Sequence, residues 1–222
     1  MSQDQIFLDR EGDAWFRRNQ EVLAEADRVD WPLILLRQLR TEFKPKSAIE
    51  LGCSNGWRLE RLRDTIPRLV GIDASAEAIA DGKCRFSTLD LGQGLLSELP
   101  VAETFDLAIV NYVLHWFDRA QLARSIVEID RTLADDGILI LGDFLPDHPV
   151  RRRYHHLPDA DVWTWKQNYG AIFESLGTYR QIACITYDHD RPEATLGASD
   201  GRSRGACFVL QKRLRAYYGD AA

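Results

Sequence analysis

Apolar residues recur at helical spacing through residues 9–42, with Leu23 and Ala26 followed by Leu33, Leu36 and Leu39 beyond a break at Trp31-Pro32. Residues 47–51 form a short apolar run that enters a glycine-bearing turn and predicts a first strand. The pattern then predicts a helix over 56–65, a strand over 68–73, a helix over 76–81 that Ser75 can cap, and a strand over 83–89 ending at Asp90. Phe105-Asp-Leu-Ala-Ile-Val110 is a continuous apolar run of the kind buried on both faces of a parallel sheet. A helix over 118–133, a turn at Asp135-Asp-Gly137 and a strand over 138–141 follow. The last third predicts a helix near 166–176 and two strands, 179–188 and 206–212, joined by a polar loop over 191–206; the end, 219–222, should fray. Strands alternating with helices predict an α/β fold: a doubly wound sheet with one antiparallel hairpin partner at its edge.

Composition changes this picture little. At 222 residues the length fits one domain with a substantial core. A net charge of −6 argues against broad nucleic-acid binding. No signal peptide or apolar run of spanning length is visible, so a cytoplasmic protein with no membrane partner is expected. Cys53, Cys84, Cys184 and Cys207 contain no CxxC pair and no zinc spacing, so no metal site is expected. Cys84, Cys184 and Cys207 sit in strand-like runs where buried thiols are common, which suits a reducing compartment.

The chemistry concentrates at the first turn. Ser47-Ala-Ile-Glu-Leu-Gly-Cys-Ser-Asn-Gly56, then Leu69-Val-Gly-Ile-Asp73, is the sequence of a nucleotide-binding βαβ unit. A dinucleotide pyrophosphate over this turn would be repelled by Glu50, and Ser54 stands where such turns want glycine. A ligand with an ammonium and a sulfonium would instead be attracted, so the turn favours S-adenosylmethionine (SAM) over NAD.

Glu50-x-Gly52-x-x-x-Gly56, the acids Asp73 and Asp90, and the run from Phe105 to Phe117 together resemble the class I SAM-dependent methyltransferases. The resemblance covers residues 45–145 at motif level, and Ser54 departs from the glycine common in the family. It implies a Rossmann-like, seven-stranded, mostly parallel sheet. It implies one domain over 1–222: a helical lid (1–44), a SAM-binding core (45–145) and an acceptor-site segment with the final strands (146–222).

The resemblance also implies roles. Glu50 would lie under the methionine moiety; Gly52, Cys53, Ser54 and Gly56 would form the turn beneath it; Asp73, with Ala74 beside it, would hold the ribose hydroxyls; Asp90 and Leu91 would meet adenine. The Asn111 carbonyl would contact the ammonium, and Trp15 and Asn19 would cover the cofactor. Each has a plainer alternative, from a solvated strand-end acid at Glu50 or Asp90 to ordinary helix packing at Trp15. His115 is a candidate general base, as are His155 and His156, because imidazole titrates in the range that hydroxyl deprotonation requires. For His115 the alternative is a packing or cofactor-side contact.

Arg151, Arg152 and Arg153, with Tyr154, Lys166 and the aromatics of 163–169, offer forks for an anionic acceptor or remain solvated; Asp188-His-Asp190 is ambiguous in the same way. The whole pattern is similar to small bacterial methyltransferases of cell-surface sugar or specialised-metabolite pathways. The expected activity is methyl transfer from SAM to a hydroxyl or amine of a small polar metabolite, anionic or sugar-like, leaving S-adenosylhomocysteine (SAH). An RNA or protein methyltransferase and a non-catalytic SAM-binding module are the alternatives.

Overall fold

The computed structural model describes residues 2–23, 25, 29–39, 41–191 and 200–219. Ala26, residues 192–199 of the polar loop expected at 191–206 and the end beyond Gly219 lie outside the described residues. The chain opens with α1 (Gln3–Ile6), a π-helical turn (Phe7–Glu11), α2 (Gly12–Leu23) and α3 (Trp31–Leu39). Next come β1 (Ser47–Leu51), α4 (Trp57–Glu60), β2 (Arg68–Asp73), α5 (Ala76–Arg85), β3 (Asp90–Gln93) and β4 (Phe105–Asn111). A 3-10 turn (Leu114–Trp116) leads to α6 (Arg119–Thr132) and β5 (Leu133–Phe144). The hairpin β6 (Val150–Arg153) and β7 (Trp163–Lys166), then α7 (Tyr169–Ser175), β8 (Tyr179–Asp188), β9 (Arg204–Lys212) and α8 (Leu214–Tyr217), complete the order.

The main sheet runs β3-β2-β1-β4-β5-β9-β8, with β9 antiparallel to both neighbours, as the sequence predicts. Successive residues of the central strands feed opposite cores. Ala108, Val110, Leu139 and Leu141 pack with Leu122 and Ile129 of α6 and Phe173 of α7. Leu107, Ile109, Ile138 and Ile140 pack with Leu33 and Leu36 of α3 and Ile79 of α5. Burial on both faces is why these strands read as unbroken apolar runs.

Several boundaries differ from the sequence pattern. The helix expected over 56–65 is one turn, because hydrogen bonds after Arg58 tighten to i→i+3 and Pro67 bars continuation. Asp118 caps α6 by accepting from the amides of Ala120 and Gln121. The expected turn at 135–137 is instead part of the long β5, where Asp136 takes φ of 62°. Ser75 caps α5 as expected, but that helix runs on to Arg85 and carries the exposed Cys84. The third strand consequently begins at Asp90 instead of ending there. Cys184 is exposed as well; Cys53 and Cys207 are buried, and all four thiols are free.

Candidate active site

The carboxyl ends of β1, β2, β4 and β5 lie at one edge of the sheet, and strand order reverses between β1 and β4. A cavity of about 620 Å³ opens at that switch point, within the size range of ligand sites.

The β1 turn forms one wall. Gly52, Ser54 and Gly56 all take positive φ, 77°, 52° and 81°. A side chain at Gly52 would strike the Val113 side chain. Ser54 adopts the left-handed region, unfavourable for a residue with a Cβ, and is held there by its amide, which donates to Asp73 Oδ2 at 2.7 Å. Asp73 Oδ1 accepts from the Ser75 amide at 2.8 Å. Burial pushes the Asp73 carboxyl upward against these two bonds. Each oxygen keeps a free lone pair for a ligand hydroxyl.

Glu50 is corrected from a cavity contact to a supporting one. It is 1% exposed and forms a buried ion pair with Arg58, whose Nη2 also meets Asp30 Oδ2 at 2.9 Å. Arg58 and Asp30 border the cavity and Glu50 does not. Two carboxylates share one guanidinium here, and desolvation raises Glu50 to about 7.

The adenine assignments of Asp90 and Leu91 fail for a topological reason. Asp90 opens β3, pairing with Val70 at the opposite end of the strand from Asp73, and its carboxylate is exposed and bonded to Arg68 at 2.9 Å. Leu91 is a core residue beneath Gly56 and Gly71. The cavity is lined there by Gly94, Leu95 and Leu96, just past β3. Continuing the α5 helical pattern to Arg85 would have shifted the strand and revealed them.

Cys53, Ala74, Asn111, Trp15 and Asn19 border the cavity; Gly56 supports the turn from behind. Asn111 Oδ1 is buried there without a hydrogen-bond partner. Asn19 spends one amide bond on its own helix, donating to the Trp15 carbonyl at 2.8 Å. The N-terminal segment is tied down by Glu11, 1% exposed, which accepts from Arg18 and, at 2.8 Å, from the Tyr154 hydroxyl.

His115 is buried at the cavity wall, with Nδ1 3.0 Å from Asp143 Oδ1. Asp143 is fixed by the amides of His115 at 3.2 Å and Phe144 at 2.8 Å. A carboxylate only accepts, so Nδ1 carries the proton and Nε2 is left basic. Asp143 was not among the sequence candidates, although an acid ending β5 parallels Asp73 ending β2. His155 reaches the cavity rim, whereas His156 is exposed and does not line the cavity. Of the three arginines, Arg151 lies over the Trp163 ring at 4.6 Å, while Arg152 and Arg153 reach the rim.

A positive-φ turn without room for a side chain, an acid with both oxygens held in place, an unpartnered buried amide oxygen and an Asp30–Arg58 pair fit SAM. They offer hydroxyl acceptors and complementary charge for an amino-acid zwitterion. The doubly wound sheet is the fold of the class I methyltransferases, and these groups gather at its switch point. Residues 49–141, under half of the chain, match the family described as a methyltransferase domain.

The chain is 24% identical over 130 residues to a protein of Mycolicibacterium smegmatis named "probable S-adenosylmethionine-dependent methyltransferase". That match covers 58% of this chain and 44% of the relative, so the chain spans less than half of the relative's length. Among solved structures, the N-methyltransferase NodS of Bradyrhizobium japonicum with SAH is similar in fold at TM-score 0.60 and 19% identity, over 89% of this chain and 97% of that one. The 1,6-didemethyltoxoflavin-N1-methyltransferase of Burkholderia thailandensis is similar at TM-score 0.69 and 15% identity, over 94% and 88%. Among the described residues no helix is long and apolar enough to cross a membrane, and no residue group of metal-binding type occurs.

Proposed function

We propose that this chain is a SAM-dependent methyltransferase acting on a hydroxyl of a small polar acceptor, with His115 as general base. The observation that carries it is the His115–Asp143 pair, 3.0 Å apart, whose histidine lines the same cavity as Asp73 and the Gly52 turn. SAM supplies a methyl group on a sulfonium leaving group, so the protein need not activate the electrophile. Asp73 takes the ribose hydroxyls, Gly94–Leu96 flank the adenine, and Asp30 and Arg58 face the amino-acid end. Asp143 holds the imidazole so that Nε2 takes the acceptor proton, a task worth roughly 10²–10⁴-fold in rate. Trp15, Asn19 and the segment pinned by Glu11 act as the lid that excludes water.

An amine acceptor is the second reading, favoured by the N-methyltransferase names of two fold neighbours. A neutral amine attacks without a base, so it leaves the buried pair without a task. Calorimetry with SAH, with NADH as control, followed by screening hydroxyl and amine acceptors with labelled SAM, tests the proposal. SAH binding with hydroxyl methylation that His115→Gln removes supports it. No SAH binding, or turnover indifferent to His115→Gln, overturns it.

A further inference from the structure

The acceptor end of the cavity is built from aromatic rings around one cation. Phe144 stands at the centre: its ring lies 5.0 Å from His115, 4.7 Å from His189 and 5.2 Å from Tyr112. Lys166 Nζ sits over the same ring, 3.4 Å from its centroid. Those legs of 3.4 and 5.0 Å bound the ammonium-to-imidazole separation at their sum, the reach of a small molecule.

Lys166 differs from the other cations on the wall. Arg58 is already paired with Glu50 and Asp30. Arg152 and Arg153 are exposed to solvent. Lys166 is half-buried, and among the described residues its side chain makes no ion pair and no hydrogen bond. Asp143 and Asp190 act on it only from a distance, while burial and Arg152 push its pKa down. His189 beside it is pushed down as well, by burial and, in part, by Lys166. A half-buried ammonium facing the cavity is electrostatically incomplete, since a desolvated charge is costly until paired. The aromatic face gives partial compensation but leaves the N–H donors unused.

We propose that the methyl acceptor carries an anionic group, a carboxylate or a phosphate, and that Lys166 receives it over the ring of Phe144. This deepens the methyl-transfer reading and rests on it. The anion fixes the acceptor's orientation, and a hydroxyl a few bonds away then meets His115 Nε2. Within the group of cations the sequence suggested, recognition narrows from the arginine run to Lys166 on the neighbouring strand β7.

The test is calorimetric titration of the SAH-loaded protein with benzoate and with inorganic phosphate, with benzamide as the neutral control. At least one anion saturates, and binds about ten-fold or more tighter than benzamide, as a charge-assisted bond requires. Lys166→Met abolishes that preference and Lys166→Arg restores it, with SAH affinity unchanged in both. Phosphate alone binding assigns a phosphorylated acceptor; benzoate alone assigns a carboxylate. If neither anion binds, or Lys166→Met binds both as the wild type does, the assignment is wrong. If SAH does not bind, the methyltransferase proposal falls, and titration of the protein without SAH still reads Lys166.

Discussion

His115 and Asp143 meet at 3.0 Å in a setting where each is under 5% exposed, and Asp143 binds the imidazole and its backbone amide at once. The pair acts as one unit. Asp143→Asn offers an amide in place of an acceptor-only carboxylate and lets the imidazole present the wrong nitrogen. Turnover should fall about 10²-fold or more with SAH affinity unchanged. His115→Gln should cost as much, and the double variant little more than either alone. Additive losses would show that the two residues act separately.

Asp73 serves two masters. Its oxygens hold the Ser54 and Ser75 amides at 2.7 and 2.8 Å and face the cavity where ribose is placed. Asp73→Ala removes the ribose contacts and frees Ser54 from its left-handed conformation. Losing two charge-assisted bonds at roughly 1.5–3 kcal/mol each should weaken SAH binding by about 100-fold or more. Calorimetry giving unchanged affinity would remove Asp73 from the ribose site.

The sheet was legible because burial on both faces leaves a mark on successive residues: Leu107–Val110 and 138–141 carry no polar interruption that a half-exposed strand would need. The Gly52 turn and Asp73 were legible because local backbone geometry dictates residue type. Asp90 was misplaced because residues 83–89 alternate well enough for a strand, while the helix capped by Ser75 runs on through Lys83–Arg85. The remaining parts depend on contacts distant in sequence. Asp143 acquires its role from a histidine 28 positions away, and Arg58 from Asp30, 28 positions away as well. Neither partnership leaves a periodic or compositional trace.

The N-terminal cover depends on Glu11. It is buried and accepts from both Arg18 and the Tyr154 hydroxyl, joining α2 to the segment after β6. Glu11→Ala takes the acceptor from the buried Tyr154 hydroxyl, at a cost of about 1–3 kcal/mol, while Arg18, a third exposed, keeps Tyr154 as a partner and can reach solvent. Amide exchange over residues 3–23 should quicken while the sheet strands keep their protection. Uniform loss of protection across the chain would show instead that Glu11 supports the whole fold.

Glu50, Arg58 and Asp30 impose a pH dependence whose sign can be worked out. Glu50 lies at about 7 when folded, against its ordinary 4.5, because burial and the second carboxylate, Asp30, outweigh the pull of Arg58. Between those values the folded chain holds a proton that the unfolded chain releases, so this group's contribution to stability is full below about 4.5 and declines as pH rises through about 7. Glu50→Gln keeps an oxygen for Arg58 and cannot titrate. The melting temperature of the wild type should therefore fall relative to Glu50→Gln between pH 5 and pH 8, by on the order of 5 °C. Parallel melting curves across that range would mean that Glu50 is already ionised at pH 5, with Arg58 fully committed to it and Asp30 held by the α3 amides.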